Sequence, residues 1–289
     1  MEMLELRTPA KINLFLNVLG KRSDGFHDIQ SWFQAVGLFD KLTFVAKDKR
    51  GLNLYSNGAY VVPADENNLI IKTARFLFER FKIKGGLEIR LQKNIPVAAG
   101  LAGGSSDAAA TIHAVNRLFE LNLDIDEMKS IGLEMGSDLP FFFSSGQAEI
   151  TGRGEIVRNI NLPTDYSVVL IVPRIAVSTA ESYKLLNLGL TSSDTGVKFS
   201  GCRDFPDLVA QIADSGNDFE KSHFNRFPVL GQIGRILKSA GAAVTRMSGS
   251  GPSMFGLFEN KPEERVIGQF TRGEWDVFHV RPIALPVWD

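Results

Sequence analysis

The stretch Pro96–Ala110, PVAAGLAGGSSDAAA, sets glycines and two serines just ahead of a run that reads as a helix. A helix N-terminus presents backbone N–H groups with no helical acceptor and a partial positive charge, so it favours phosphate. Glycines let the backbone approach an anion without side-chain obstruction. Glycines, hydroxyls and then a helix is the order a phosphate cradle requires, and it is equally the composition of a flexible connection. The stretch contains neither G-x-x-x-x-G-K-[ST] nor G-x-G-x-x-G, so it is neither a P-loop nor a dinucleotide fingerprint.

Other residues have the types needed to act on a phosphate or an alcohol. Lys11 and Asn13, in PAKINLFLNVLGKR, point the same way from a segment of period two, roughly 7 Å apart by the rise of a strand. Asp138, in MGSDLPFFF, stands between a helix end and an apolar run, a common place for a cap or turn residue. Facing a cleft that holds an alcohol, the same carboxylate would act as a base or orient the hydroxyl. A second glycine run, RMSGSGPSMFG at 246–256, reads as a tight turn. Its hydroxyls and glycines would alternatively close over an anionic substrate. His27, in GFHDI, reads first as a structural residue.

The elements that must position these residues alternate without a strict βαβ rhythm, which implies an α+β fold. In the first segment Ile12, Leu14, Leu16 and Val18 fall on one face of a strand, opposite Lys11, Asn13, Phe15 and Asn17. KLTFV, GLNLY and LEIRLQKNIP read as further short strands. NLIIKTARFLFERFK has helical spacing, with Asn67 or Asn68 as cap. DAAATIHAVNRLFEL is a helix with Ser106 or Asp107 where an N-cap belongs, and DIDEMKSIGLEMG is a helix ending at Gly136. Composition loosens over 151–166, which places a boundary between domains 1–158 and 159–289. Beyond it lie a buried-type strand, SVVLIVP, a polar span near 187–201, one helix near NRFPVLGQIGRILKSAG and a closing WDVFHVRPI.

With 289 residues, 44% hydrophobic and 22% charged, the chain can bury a sizeable core, and its 32 basic and 33 acidic residues balance. That balance gives no electrostatic footprint for nucleic acid or an anionic membrane. The longest apolar runs are too short to span a bilayer, and the N-terminus lacks the layout of a signal peptide, so the expected location is cytoplasmic. The single cysteine, Cys202, rules out an intrachain disulfide framework and any multi-cysteine metal site. No His pair has metal-ligand spacing, and no G-x-S-x-G elbow supports acyl hydrolysis.

Taken together, PVAAGLAGGSSDAA, PAKINLFLNVLGKRSDGFHDIQSWFQAV, GSDLPFF and SGSGPSMFG resemble, in order and over nearly the full length, the GHMP kinase superfamily. Its signature is P-x-x-x-G-L-(G/A)-S-S-A-A. The resemblance implies a two-domain α+β fold, an N-terminal ATP-binding domain and a C-terminal substrate-side domain with the active site in the cleft between them. The DGFH segment points to the branch whose alcohol carries a cytidine diphosphate group, phosphorylated by ATP at a 2-hydroxyl. Homoserine- or mevalonate-type kinases, and a catalytically silent nucleotide-binding protein, are the alternatives.

Carried over residue by residue, the resemblance makes Lys11 and Asp138 catalytic. Asp138 would accept the hydroxyl proton, and Lys11 would orient the nucleophile and offset charge on the γ-phosphoryl group. Pro96, Val97, Ala98, Ala99, Gly100, Leu101, Ala102, Gly103, Gly104, Ser105 and Ser106 would wrap the ATP phosphates, with Asn68 near the adenine. Asn13, Phe26 and His27 would hold the substrate, the latter two at the cytosine. Ser248, Gly249, Ser250 and Gly251 would border the transfer site. Mg²⁺ is implied beside ATP; its ligands are not legible, with Ser105 or Ser106 the available hydroxyls. The family usually has Gly at positions 99 and 102, Asn at 107 and Tyr at 26, where this chain has Ala99, Ala102, Asp107 and Phe26. Asp107 is expected to be a helix cap.

Overall fold

The computed structural model describes residues 2–186, 201–262, 268 and 275–284. β1 (Met3–Lys21) and β2 (His27–Lys47) form a long antiparallel hairpin, turning at Asp24-Gly25. β3 (Gly51–Gly58), β4 (Gly86–Lys93), β5 (Gln147–Thr151) and β6 (Ile156–Asn159) extend it into a sheet of order β3-β4-β2-β5-β6, with β1 also paired to β2. KLTFV is therefore the end of one long strand rather than a short strand of its own. β3 and β4 are parallel and joined by α1 (Leu69–Arg80), while the other pairings of this sheet are antiparallel. α1, α2 (Gly103–Leu118) and α3 (Ile125–Met135) share a core with this sheet, followed by a 3-10 turn, Leu139–Phe143.

A second, antiparallel sheet has the order β10-β7-β9-β8, with β7 Ser167–Pro173, β8 Val244–Met247, β9 Met254–Phe258 and β10 Trp275–Val280. Every residue of β7 is buried, which explains its unbroken apolar run. Val169 and Ile171 face one core; Val168, Leu170 and Val172 face another, shared with Ile12, Leu14, Phe15 and Trp32 of the first hairpin. Among the described residues four more helices are α4 (Thr179–Leu185), α5 (Phe205–Ile212), α6 (Glu220–Arg226) and α7 (Pro228–Ser239). The single helix expected around NRFPVL is two. Phe227 adopts φ −130°, ψ 79° ahead of Pro228, because the proline ring disfavours a helical residue before it. The greater part of the polar span near 187–201 lies outside the described residues. No described helix is long and apolar enough to cross a membrane.

The period-two reading of β1 holds only as far as Asn13. Asn13 pairs with Phe33 and Phe15 with Trp32, so Leu14 is an extra residue in the ladder, a β-bulge. One extra residue reverses the alternation, and the faces change accordingly. Ile12 and Leu14 pack into the core against the second sheet, whereas Leu16 and Val18 pack on the helix side. Lys11, Asn13 and Leu16 consequently line the same cavity.

Beneath the glycine stretch lies a buried ionic cluster that joins β1, β2, β4 and α2. Lys93 Nζ contacts Asp40 Oδ2 and Asp107 Oδ2, the latter at 2.9 Å. Thr8 Oγ1 donates to Asp107 Oδ1 at 2.7 Å, and Asp40 Oδ1 accepts from the N–H groups of Asn94 (2.6 Å) and Ile95 (2.8 Å). Asp107 is thus not a cap. It sits a full turn inside α2, whose N-cap is Ala102, and only 1% of its surface is exposed. Burial alone would pull the Lys93 ammonium down, but Asp107 and Asp40 outweigh it and hold it above the ordinary lysine value. Burial pushes the Asp107 carboxyl up to about 7, against the pull of Lys93, with Asp40 adding to the rise.

A carboxyl that titrates higher in the fold than in the unfolded chain binds its proton more tightly when folded. Its contribution is therefore gained as pH falls through 7 and lost as pH rises through it. From pH 8 to pH 6 the wild type should gain roughly 1–1.5 kcal/mol from this group, a gain that Asp107→Asn should lack. Thermal unfolding of both proteins across that range checks it; parallel pH profiles would clear Asp107 of the effect.

Candidate active site

The glycine stretch connects β4 to α2, and its backbone conformation is set by hydrogen bonds to distant elements. Lys11 N–H donates to the Leu101 carbonyl (3.0 Å), Ser248 Oγ to the Gly100 carbonyl (2.9 Å) and Ser253 N–H to the Ala99 carbonyl (3.3 Å). Three successive carbonyls are thereby taken by protein donors. Gly100 adopts φ +75°, and a Cβ there would overlap the Ser248 carbonyl oxygen, so only glycine fits. Ala98 and Ala102 also have left-handed φ values, 52° and 53°. For an alanine that conformation costs on the order of 1–2 kcal/mol.

No side chain caps α2, since Ala102 has none to offer. The first-turn N–H groups of Gly103, Gly104 and Ser105 have no helical acceptor. These three residues line a cavity of about 460 Å³, together with Pro96, Val97, Ala98, Ala99, Gly100 and Ala102. An uncapped helix N-terminus opening into a cavity is suited to an anion. Leu101 and Ser106 behave differently: they are 1% and 0% exposed, and Ser106 Oγ is buried with no hydrogen-bond partner among the described residues. Their side chains face the interior, a consequence of helical phase that the motif alone does not reveal. The 460 Å³ cavity continues past Val62, Pro63, Leu69 and Ile70, an apolar wall. Asn68 lines it as well, but its amide is committed to capping α1: Oδ1 accepts from Ile70 N (2.9 Å) and Nδ2 donates to the Pro63 carbonyl (2.7 Å).

Opposite the helix N-terminus lies Lys11, 3% exposed. Its Nζ donates to Asn13 Oδ1 at 2.6 Å, lies 3.7 Å from Asp138 Oδ2 and sits 4.3 Å above the centre of the Phe33 ring. Burial pulls the Lys11 ammonium below its ordinary range, and Asp138 pulls it back up. Asn13 is fixed in turn, its Nδ2 donating to Ser31 Oγ at 3.0 Å. Asp138 is held by backbone placement, between Gly136, the C-cap of α3, and the 3-10 turn that begins at Leu139-Pro140. Its side chain is 37% exposed.

Beyond Asp138 a second cavity opens, lined by Lys21, Gly25, Phe26, His27, Arg153, Tyr183 and Lys184 among others. The two cavities share Ile29, Asp138, Thr179 and Tyr183. The His27 ring stacks on Tyr183 (4.6 Å, 20° between planes), and the Arg153 guanidinium lies 4.8 Å from the centre of the Phe26 ring. Burial, with Lys21 nearby, lowers the His27 pKa and favours the neutral imidazole. Gly249, Ser250 and Gly251 line the first cavity, and Ser250 Oγ is 2.8 Å from Thr179 Oγ1. Ser248 is fully buried and serves as a link from the hairpin to Gly100 rather than as cavity surface.

Tyr183, Thr179, Arg153 and Phe219 at the cavities, and Lys93 beneath, were not indicated by any motif. Their only sequence signals are an aromatic on a short capped helix and a basic residue in a glycine turn, features common in any chain. Cys202 is a free, half-buried thiol that lines neither cavity, its pKa pushed up to about 11, chiefly by burial. Among the described residues no group of three or more His, Cys, Asp or Glu could hold a metal ion.

The GHMP kinases N terminal domain family matches residues 68–146, and the GHMP kinases C terminal family matches residues 202–274. The 4-diphosphocytidyl-2-C-methyl-D-erythritol kinase of Exiguobacterium sibiricum is 42% identical over 93% of both chains. That of Bacillus pumilus is 39% identical over 98% of both. A crystal structure of 4-(cytidine 5'-diphospho)-2C-methyl-D-erythritol kinase superposes with a TM-score of 0.78 at 29% identity, covering 97% of this chain and 99% of that one. A homoserine kinase from Cytophaga hutchinsonii, 18% identical with a TM-score of 0.74, shares the fold. With helix N-terminus, lysine and carboxylate gathered around one cavity, and these matches along the chain, the protein belongs to the GHMP kinases and, within them, to the 4-diphosphocytidyl-2-C-methyl-D-erythritol kinase family.

Proposed function

We propose that the protein transfers the γ-phosphoryl group of ATP to the 2-hydroxyl of 4-diphosphocytidyl-2-C-methyl-D-erythritol, a step in the non-mevalonate route to isoprenoid precursors. The observation that carries this reading is the position of Asp138. Its carboxylate, 3.7 Å from Lys11 Nζ, stands where the cavity of the glycine loop meets the cavity of Phe26 and His27. A nucleotide in the first and a cytidine ester in the second would bring phosphoryl donor and alcohol together at that carboxylate.

Phosphoryl transfer needs alignment and charge stabilisation more than covalent help. The uncapped start of α2, with the loop 96–105, receives the phosphates, and the adenine rests against Val62, Pro63 and Leu69 beside Asn68. Lys11 offsets charge at the transferred group, Asp138 accepts the hydroxyl proton, and Asn13 holds Lys11 in place while facing the substrate. Phe26, His27 and Tyr183 receive the cytosine; Lys21, Arg153 and Lys184 supply positive charge for its diphosphate. Glycines 249 and 251, with Ser250, border the transfer site. Mg²⁺ is held chiefly by phosphate and water oxygens and needs few from protein. Ser105, which lines the cavity, fits that need, whereas buried Ser106 does not. When bound, the ion would neutralise phosphate charge.

On this reading the half 1–158 carries the ATP loop and most of the cytidine cavity, the half 159–289 closes over both with Tyr183, Lys184 and the hairpin 249–251, and the enzyme is cytoplasmic, a location that fits its need for ATP. The balanced charge gives no footprint for nucleic acid. A homoserine- or mevalonate-type acceptor would leave the ring-lined second cavity without a purpose. Phosphorus NMR of a reaction with ATP, Mg²⁺ and the cytidine alcohol should show a new phosphomonoester; unchanged ATP alongside measurable binding of both ligands would make this a silent binding protein.

Asp138→Asn should lower kcat by roughly 10²–10⁴-fold with little change in KM for the cytidine substrate. Turnover near wild type would remove Asp138 from proton transfer. Lys11→Met should likewise lose kcat; a change confined to the KM for ATP would make Lys11 a binding residue instead. Phe26→Ala should raise the KM for the cytidine substrate roughly tenfold while sparing kcat, the expected loss of one base–ring stack. An unchanged KM would place the base elsewhere.

A further inference from the structure

β8 is an edge strand of the second sheet. Among the described residues no strand neighbours its outward backbone groups at Met247, a position that folds usually cover. Two side chains cover it. Asn217 Nδ2 donates to the carbonyls of Met247 and Gly249, both at 2.8 Å, while its Oδ1 accepts from Phe219 N (3.0 Å). Glu220 Oε1 accepts from Met247 N at 2.7 Å. Asn217 is 4% exposed, and both ends of its amide are engaged.

The backbone of the same segment grips β1. Leu16 N donates to the Gly216 carbonyl (2.9 Å) and Asp218 N to the Leu16 carbonyl (3.0 Å). Asp218 Oδ2 accepts from Val18 N at 2.6 Å. Residues 216–220 therefore hold the strand that carries Lys11 and Asn13 on one side and the glycine hairpin on the other. The hairpin needs such a hold because it approaches the site backbone to backbone: a Cβ on Gly249 would lie 3.2 Å from the Gly100 carbonyl oxygen and 3.5 Å from Asn13 Oδ1. Across its own turn run two backbone hydrogen bonds, Gly251 N to the Ser248 carbonyl (2.9 Å) and Ser248 N to the Ser253 carbonyl (2.8 Å), while Ser248 Oγ reaches the Gly100 carbonyl (2.9 Å).

We propose, on the kinase reading above, that Asn217 and Glu220 are positioning residues for phosphoryl transfer, setting glycines 249–251 at the spacing from Lys11, Asn13 and Gly100 that the reaction requires. They act through Met247 and the hairpin and touch neither reactant. The chemistry is specific. An aspartate at 217 has the same shape but sets one acceptor oxygen, in place of two N–H donors, against the two carbonyls, whereas a glutamine at 220 keeps the acceptor oxygen.

Asn217→Asp, Glu220→Ala and Glu220→Gln, compared below their melting temperatures, test this by steady-state kinetics and by hydrogen exchange at the amides of 249–251. Asn217→Asp and Glu220→Ala should lower kcat roughly 10–100-fold, the cost of slight misplacement, with the KM for the cytidine substrate nearly unchanged. Exchange at 249–251 should quicken in both. Glu220→Gln should restore kcat and protection. Folded variants with wild-type kcat and unchanged exchange, or a Glu220→Gln as impaired as Glu220→Ala, would overturn the proposal. A wild type that phosphorylates nothing would instead sink the kinase reading, and the exchange at 249–251 would still decide whether the clamp holds the hairpin.

Discussion

A backbone loop that is to face an anion must turn its carbonyl oxygens elsewhere, because each residue brings an acceptor along with its donor. At Ala99, Gly100 and Leu101 this is met by donors from Ser253, Ser248 and Lys11, drawn from the C-terminal sheet and from β1. The loop therefore has no independent conformation as an anion site. It exists only when β1, the start of α2 and the hairpin after β8 are in contact, and the left-handed residues Ala98, Gly100 and Ala102 are held by that contact. The Lys11 backbone N–H fixes the loop while its side chain faces Asp138, so one residue couples the glycine loop to the carboxylate.

Charge is arranged in two tiers around this loop. Above it, Lys11 and the helix N-terminus present positive potential to the cavity. Below it, Lys93 is bound between Asp40 and Asp107, and the carboxylates are bound in turn by Thr8 and by backbone N–H groups. A buried ion cluster is weak evidence for net stability. Its geometric effect is firmer, since it joins three strands to α2 at one point and so fixes the direction in which the helix N-terminus points. An asparagine at 107 would offer the same shape with one charge fewer, and the aspartate makes this chain's cluster sensitive to protons near neutrality.

The bulge at Leu14 has comparable reach. By shifting one residue it places Leu16 on the side of Lys11 and Asn13 and lets the backbone at Leu16–Val18 accept the segment 216–218. Asn217 in that segment also holds Met247 and Gly249, and the adjoining Phe219 meets Tyr183 edge to face at 5.0 Å, against the ring that stacks on His27. The strand bearing the lysine, the glycine hairpin and the aromatic wall of the second cavity thus share one short connection.

The sequence by itself determined which residue types are present and their local spacing: the glycine–serine run before a helix, Lys11 and Asn13 on one strand face, Asp138 after a helix end, and the motif order that marks a GHMP kinase. These are short-range patterns, and periodicity, capping and glycine content express them directly, as Asn68 and the Asp124 cap of α3 illustrate. Only the tertiary structure decided that Asp107 is a buried ion partner and not a cap, that Ser106 and Ser248 turn inward, that Leu16 changes face, and that Tyr183, Arg153 and Asn217 stand around the site. Each depends on a neighbour far away in the chain: Lys93 and Thr8 for Asp107, Gly100 for Ser248, Trp32 opposite the bulge for Leu16. Burial and pairing across such distances are properties of packing, and no local pattern of residues encodes them.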